Sequence, residues 1–284
     1  MPGTTALYIR LMRLDRPVGT LLLLWPTLAA LWLAAGGMPP WHLVLIFTLG
    51  TFLMRSAGCV VNDFADRDWD RHVKRTAARP LTSGQLSTRD AVILFGALSS
   101  AALVLLIFLN PFTRWLALVG FGIAVLYPFM KRWTYLPQVV LGAAFSWGLL
   151  MAYTAVQGSL PREAWLLFLA SLFWIVAYDT EYAMVDRDDD LRVGIKSTAI
   201  LFGSADRLMI GLLQGCALLT LALFGAMREF GGWYQLALAG MLALFAWQHY
   251  LIRHRDRGAC LAAFLNNTWV GLAFFVGVVL ETVR

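Results

Sequence analysis

The sequence contains few charged residues and only three cysteines, and each shortage excludes a class of protein. Charged residues make up 14% of the 284 residues, whereas they make up about 25% of a typical soluble domain. The cysteines lie inside apolar runs, with no pair at metal-ligand or redox spacing; they are Cys59, Cys216 and Cys260. A soluble globular domain, a disulfide framework and a thiol redox motif are therefore excluded.

Long apolar runs take the place of the missing charge. Hydrophobic residues make up 60% of the chain, the mean hydropathy is +0.68, and runs of about 18 to 25 residues, long enough to cross a bilayer core, recur throughout. We predict an all-α integral membrane protein with a single transmembrane domain over residues 1–284. Nine membrane-spanning helices are predicted at about residues 18–36, 41–62, 91–109, 113–130, 136–157, 163–182, 207–227, 233–251 and 259–281.

Lys and Arg are distributed unevenly between the two sides of this predicted bundle. The N-terminus and the loops after even-numbered helices carry 18 of the 23, and the opposite side carries Arg114, Arg162, Arg228 and Arg284. The positive-inside rule makes the first side cytoplasmic, and this explains the net charge of +6 better than nucleic-acid binding does. We expect a bacterial inner-membrane protein with a cytoplasmic N-terminus, an uncleaved first helix and no nucleic-acid partner.

An acidic run ends the second apolar segment. On a helix, Asn62, Asp66 and Asp70 fall within roughly 80° of arc, and Asp63 lies just beyond Asp70. One helical face therefore collects the side-chain oxygens, whereas Asp68 points away from it.

A second acidic run ends the sixth segment. Asp179, Asp186 and Asp190 fall within about 40° of arc, whereas Asp188 and Asp189 point elsewhere. The two runs align as two copies of one motif, and both lie on the predicted cytoplasmic side. Two such clusters on matching helices are hard to explain as solvated loop edges.

The two acidic runs, residues 62–70 and 179–190, offer oxygen ligands and contain no His or Cys. Such ligands suit a hard cation, and we predict Mg²⁺. The predicted ligands are Asn62, Asp63, Asp66, Asp70, Asp179, Asp186 and Asp190, with Asp63 the weaker candidate. Asp66, Asp70, Asp179, Asp186 and Asp190 are also predicted to be essential for catalysis.

Basic residues follow both acidic runs, among them Arg71, Lys74 and Arg75. Arginine and lysine can bind a diphosphate beside the metal. The predicted diphosphate ligands are Arg67, Arg79, Lys131, Arg132 and Lys196. The alternative is that these residues only set the topology.

Arg55 is the one Lys or Arg that lies away from the ends of the predicted spans. It precedes Asn62 by seven residues and so shares its helical face. A charge at this depth costs about 2.5 to 3.5 kcal/mol on insertion scales, so we expect Arg55 to line a cavity and bind an anionic substrate group. An internal ion pair with a motif aspartate is the alternative.

Both acidic runs resemble the aspartate motifs of the UbiA-type superfamily of membrane aromatic prenyltransferases. The matching patterns are Asn62-Asp63-x-x-Asp66-Arg67-x-x-Asp70 and Tyr178-Asp179-Thr-x-Tyr182-Ala-Met-x-Asp186-Arg187-x-Asp189-Asp190. The surrounding sequences resemble the branch that prenylates 4-hydroxybenzoate in ubiquinone biosynthesis; they are residues 21–27, 52–55, 79–81 and 196–199.

The resemblance implies nine helices around a central cavity that opens to the cytoplasmic side and laterally to lipid. It implies Mg²⁺-dependent transfer of a polyprenyl group from polyprenyl diphosphate to the carbon ortho to the hydroxyl of 4-hydroxybenzoate. Arg55 would hold the carboxylate of this acceptor. Another aromatic or haem-type acceptor stays open. A divalent-cation transporter is the rival from another class, although transport needs a route to both sides and the acidic runs share one.

Overall fold

The computed structural model describes residues 3–72 and 75–283, so Lys74 lies outside the described residues. Within these two ranges the regular structure is helical throughout. The α-helices are α1 (Thr4–Leu11), α2 (Val18–Ala35), α3 (Trp41–Asp70), α4 (Thr88–Leu106), α5 (Pro111–Trp133), α6 (Pro137–Gln157), α7 (Arg162–Val193), α8 (Thr198–Phe202), α9 (Asp206–Met227), α10 (Gly232–Leu251) and α11 (Arg257–Thr282).

Nine of the helical stretches in the described ranges are long and apolar enough to span a membrane, as the sequence predicted. The chain is therefore an integral membrane protein. Helices α3 and α7 have 30 and 32 residues, more than the about 20 that a span requires. Their extra turns carry the acidic runs, which are consequently helical and have fixed faces.

Local signals set the helix ends near the site. The predicted capping box opens α4, because the Ser87 side chain accepts from the Asp90 N–H and the Asp90 carboxylate accepts from the Ser87 N–H. Helix α7 ends at Gly194, whose φ of +75° is a left-handed conformation that glycine adopts without strain. The chain therefore turns sharply and brings Lys196 back toward α5, where its N–H donates to the Lys131 carbonyl at 3.2 Å.

The core is formed mainly by α2, α6, α7 and α11, whereas α4 and α5 lie at the periphery. Small residues let the core helices approach closely, as is usual in membranes. A methyl group on Gly148 of α6 would lie 2.9 Å from the Thr27 hydroxyl of α2, and one on Gly271 of α11 would lie 3.0 Å from the Trp174 ring of α7. Helix α4, by contrast, buries only Ala91 among its residues.

A buried polar network connects α7 to α9 and α11. The Glu181 carboxylate accepts hydrogen bonds from Asn267 at 3.0 Å and from Gln214 at 3.4 Å. The Trp174 indole N–H donates to the side-chain Oδ1 of Asn267 at 2.8 Å. Polar groups at membrane depth require such partners, because lipid offers none. The network therefore fixes the orientation of α7 beside its acidic run.

Candidate functional site

The two acidic faces meet at a small polar cavity of about 140 Å³. Helix α3 contributes Asn62, Asp66 and Asp70, and helix α7 contributes Asp179, Asp186 and Asp190. The helical spacing that predicted two oxygen-bearing faces thus agrees with the structure.

The remaining acidic residues of the runs point elsewhere, as the spacing indicated. The side chains of Asp68 and Asp188 are 79% and 72% exposed. Asp189 is buried, but it accepts from Arg257 at 2.9 Å on the far side of α7. These three residues are therefore not part of the cavity wall.

Basic side chains pair with the cavity carboxylates. Lys131 of α5 donates to Asp66, and Arg79 lies 2.6 Å from Asp70 and 3.0 Å from Asp63. Burial alone would lower the pKa of Arg79, but Asp63 and Asp70 raise it above its ordinary value. The guanidinium thus stays charged and is available to an anionic ligand.

Arg75 connects the two halves of the site, and sequence reasoning did not select it. Its Nε donates to both Asp186 oxygens at 3.0 and 3.1 Å, and its Nη1 donates to the Tyr182 hydroxyl at 2.5 Å. The guanidinium also lies 4.7 Å from the centre of the Tyr182 ring. The loop after α3 therefore reaches across to α7. The sequence indicated only that Arg75 lies in a basic loop, and this does not distinguish it from Arg71.

Asp63 shares Arg79 with Asp70 but has a further partner in the N-terminal segment. Both of its oxygens accept from Arg13 Nη2 at 2.9 Å, and it lies outside the small cavity. Its predicted role as a weaker metal ligand stays a prediction. Arg13, which the sequence marked only as part of a basic N-terminus, connects the N-terminal segment to α3.

The five predicted diphosphate ligands divide into two groups. Arg79, Lys131 and Lys196 line the small cavity. Arg67 instead donates to Thr88 at 2.9 Å, and Arg132 donates to the Ala65 carbonyl at 2.8 Å. Neither lines either cavity. Each follows a cavity-facing residue directly, and one residue is a rotation of about 100° on a helix, which turns both side chains away.

The carboxylates of the small cavity fit a hard divalent cation. The Asp66 Oδ1 atom is buried without a hydrogen-bond partner, and Asp179 and Asp190 have no recorded side-chain hydrogen bond or ion pair within the described ranges. Within those ranges no three acidic, His or Cys side chains are already grouped tightly enough to hold a metal. An all-oxygen set that leaves room for water and phosphate ligands is what Mg²⁺ prefers.

A second cavity, of about 920 Å³, adjoins the first and extends between α2, α3, α4, α5 and α6. The two share lining residues where they meet, namely Asn62, Arg75, Arg79, Tyr127, Asp179 and Tyr182. Beyond this junction the wall is mostly apolar, with Phe47, Leu106, Phe121, Trp147 and Met151 among its residues. A charged end and an apolar interior suit an amphiphile with an anionic head.

Arg55 lines the large cavity near the junction. Its Nε is buried without a hydrogen-bond partner, and no ion pair is recorded for it among the described residues. The guanidinium lies 5.8 Å from the Phe145 ring centre and packs against Gly19, where a methyl group would come within 2.6 Å of Nε. Arg55 thus forms no carboxylate contact within 4.0 Å among the described residues, and its role as ligand of an anionic substrate group stays a prediction.

Three comparisons place this geometry among known proteins. A model of the UbiA prenyltransferase family matches residues 23–277. The 4-hydroxybenzoate octaprenyltransferase of Ectopseudomonas mendocina (strain ymp) is 58% identical over 274 residues, which cover 96% of this chain and 93% of that protein.

Solved structures share the fold at lower identity. The apo structure of a UbiA homologue from Aeropyrum pernix K1 superposes with a TM-score of 0.82 at 23% identity and covers 92% of this chain and 97% of its own. A UbiA homologue from Archaeoglobus fulgidus, bound to GPP and Mg²⁺, superposes with a TM-score of 0.75 at 18% identity and covers 98% and 99%.

Proposed function

The chain belongs to the UbiA prenyltransferase family, and from this premise we propose that it transfers a polyprenyl group from polyprenyl diphosphate to 4-hydroxybenzoate. The bond forms at the ring carbon ortho to the hydroxyl, and diphosphate is released. This reaction belongs to ubiquinone biosynthesis. The observation that carries the proposal is that a polar cavity, lined by carboxylates from two helices, joins a large apolar cavity. The 58% identity to a 4-hydroxybenzoate octaprenyltransferase supports the choice of acceptor.

The small cavity is the proposed site of the diphosphate head and of Mg²⁺. The proposed metal ligands are those that line it, namely Asn62, Asp66, Asp70, Asp179, Asp186 and Asp190. When bound, the ion would neutralise negative charge on the diphosphate and so favour its departure. The related protein from Archaeoglobus fulgidus that binds GPP and Mg²⁺ supports this choice of metal.

The cations of the small cavity are proposed to bind the leaving diphosphate. In the structure Lys131 pairs with Asp66 and Arg75 pairs with Asp186. A bound diphosphate offers these cations new partners, and Asp66 and Asp186 then become available as metal ligands. Arg79 and Lys196, which line the same cavity, add further positive charge as the carbon–oxygen bond breaks.

The acceptor is proposed to lie at the junction, with its carboxylate on Arg55. Departure of diphosphate leaves an allylic cation, which the aromatic rings around the junction stabilise. Tyr182 and Phe264, whose ring centroids are 4.5 Å apart, line the cavity there. The electron-rich ortho carbon attacks the cation, and loss of the ring proton restores aromaticity.

The proposed location is the bacterial inner membrane, with the small cavity facing the cytoplasm and the large cavity open laterally to lipid. The concentration of Lys and Arg on the side that carries both acidic runs supports this orientation. A water-soluble acceptor would then reach the site from the cytoplasm, and the donor would reach it from the bilayer.

The test uses purified protein in detergent with geranyl diphosphate, 4-hydroxybenzoate and either Mg²⁺ or EDTA. We expect mass spectrometry to detect the prenylated acid with Mg²⁺ and none with EDTA. Product from a different aromatic acceptor, with none from 4-hydroxybenzoate, would overturn the proposed acceptor while leaving the reaction class intact. Equal product with EDTA would overturn the metal requirement.

A further inference from the structure

Gly19, in the first turn of α2, leaves space that the Arg55 side chain of α3 occupies. A methyl group on Gly19 would lie 2.6 Å from Nε of Arg55 and 2.9 Å from Cζ, and it would lie closer still to Nη2. Non-bonded heavy atoms pack at about 3.5–4.0 Å, so a side chain on Gly19 is incompatible with the present position of the guanidinium. Both residues line the large cavity.

The need for glycine at position 19 is one of space and not of backbone conformation. Gly19 is not among the residues with positive φ, where glycine is favoured. Inside a helix, glycine is less favourable than alanine, so α2 itself gains nothing from it. At Gly142 of α6 an added methyl group would instead meet the apolar Leu172 side chain, as expected where two helices pack. Gly19 differs because the group that fills its space is a charged side chain.

The Arg55 guanidinium has few other contacts that fix its position. Its Nε is buried without a hydrogen-bond partner, and no hydrogen bond or ion pair of Arg55 is found within the described ranges. The centre of the Phe145 ring of α6 lies 5.8 Å from its Cζ. An arginine side chain has many rotamers, and close packing removes that freedom. The guanidinium is therefore placed by packing, against the bare backbone of Gly19 and near the Phe145 ring.

Placement matters for a guanidinium because its N–H donors form a planar fork. A carboxylate accepts two parallel hydrogen bonds from this fork only when the position and plane of the guanidinium match it. If a methyl group were added to Gly19, Nε of Arg55 would have to move by about 0.8 Å to restore an ordinary contact of 3.4 Å. Because the displaced atoms end a flexible side chain, this movement would disturb the fold little. It would instead disturb the ligand that the guanidinium binds.

We propose that Gly19 is a positioning residue for the acceptor. Because it offers no side chain, the Arg55 guanidinium lies against α2, and from that place the guanidinium binds the acceptor carboxylate. Gly19 therefore acts through Arg55 and not by contact with the substrate. This inference rests on the proposed function, which assigns the acceptor carboxylate to Arg55.

The test compares the unmodified protein with Gly19→Ala, Arg55→Ala, the double variant that carries both changes, and Gly122→Ala. Gly122 of α5 is the matched control, because a methyl group there would meet nothing within 4 Å and the residue lines neither cavity. Steady-state titration with geranyl diphosphate and 4-hydroxybenzoate gives kcat and the KM of each substrate. Thermal unfolding in detergent measures the stability of every variant.

We expect Gly19→Ala to raise the KM for 4-hydroxybenzoate at least about 5-fold, because displacement of a binding group by about 1 Å weakens a site strongly. The KM for the donor and the melting temperature should change little, and Gly122→Ala should resemble the unmodified protein. In the Arg55→Ala background the glycine substitution should add no further increase, because the atoms that it would displace are absent. Such non-additivity is expected of two residues that act through one contact.

An unchanged KM for 4-hydroxybenzoate in Gly19→Ala would overturn the positioning role. So would an increase of the same size in the Arg55→Ala background, or a fall in melting temperature that Arg55→Ala does not relieve, since both would place the effect in the packing of α2. An unchanged acceptor KM in Arg55→Ala would remove Arg55, and with it Gly19, from acceptor binding while leaving the proposed reaction intact. Absence of transfer in the unmodified protein would refute the proposed function itself.

Discussion

Helices α3 and α7 carry the same acidic pattern, yet they are held in different ways. Helix α7 packs between α6, α9 and α11, and its Glu181 is fixed from two of them by Asn267 and Gln214. Helix α3 packs mainly on the peripheral α4 and on α2. Its acidic residues are instead held by cations from outside the helix, namely Arg13, Arg79 and Lys131.

The difference teaches that the α7 wall of the site is fixed mainly by helix packing, although Arg75 also pairs with its Asp186. The α3 wall is adjusted by cations from the N-terminal segment, the following loop and α5. The partners of the α3 carboxylates, Lys131 and Arg79, are also the proposed ligands of the diphosphate. Binding of the donor therefore competes with the contacts that position α3, whereas Glu181 and its network lie apart from both cavities. Four predictions, ordered by expected effect, test this division.

The largest effect on activity is expected at the cavity carboxylates, one taken from each of α3 and α7. Asp66→Asn and Asp186→Asn should each lower product formation at least about 100-fold, because each removes a charged ligand that the proposed metal requires. Initial rates with saturating geranyl diphosphate and Mg²⁺ measure the loss. Activity near that of the unmodified protein in either variant would contradict a shared metal site.

A smaller effect, confined to one substrate, is expected at Arg55. Arg55→Ala should raise the KM for 4-hydroxybenzoate about 10-fold or more, since a charge-assisted hydrogen bond contributes about 1.5–3 kcal/mol. The KM for the donor should change little. Steady-state titration of each substrate separates the two, and Arg55→Lys, which keeps the charge, is the matched control. Equal increases in both KM values would remove Arg55 from the acceptor site.

The fixed and adjustable walls should respond differently to loss of one carboxylate. Glu181→Ala should lower the free energy of unfolding by about 1–3 kcal/mol, because the buried amides of Asn267 and Gln214 each lose one of their two acceptors. Asp63→Asn should instead raise the KM for the donor, because Arg13 loses its charged partner and Arg79 is left with Asp70 alone.

Thermal unfolding in detergent and donor titrations, made on both variants, check this contrast. Glu181→Gln, which retains an acceptor, is the control for the first variant. A large fall in melting temperature with Asp63→Asn and none with Glu181→Ala would reverse the assignment of the two walls.

The smallest effect is expected at the exposed acids of the same motifs. Asp68→Asn and Asp188→Asn should change stability by no more than about 0.5 kcal/mol and leave the rate nearly unchanged, as is usual for exposed sites. The same rate assay serves as the measurement. A strong loss at either position would show that proximity in sequence, and not helical face, selects the functional acids.

Helical periodicity explains what the sequence could predict. Apolar runs located the nine spans, and the rotation of about 100° per residue correctly placed six oxygen-bearing side chains on two facing surfaces. The same rotation turns Arg67 and Arg132, whose prediction as diphosphate ligands rests on charge alone, away from the small cavity. Within one helix, the direction in which a side chain points follows from its residue number. This part of the site could therefore be predicted from the sequence.

The positions of the cations outside the spanning helices could not be predicted from helical periodicity. Arg13 and Arg75 lie outside the membrane-spanning helices, and each reaches its carboxylate only through the path of the chain around it. No period relates them to Asp63 or Asp186, which are 50 and 111 residues away. The cavities likewise depend on how helices distant in sequence pack, and residue spacing in one helix does not report this.

The apolar wall of the large cavity changes what substrate affinity means for this protein. A donor whose tail passes from bilayer hydrocarbon into an apolar cavity leaves no water behind, so transfer of the tail provides little driving force. Discrimination then depends on the diphosphate head, and the concentration that governs the rate is the mole fraction of donor in the lipid. Adding inert lipid at constant protein and donor should therefore slow the reaction by surface dilution, although the bulk concentrations stay the same.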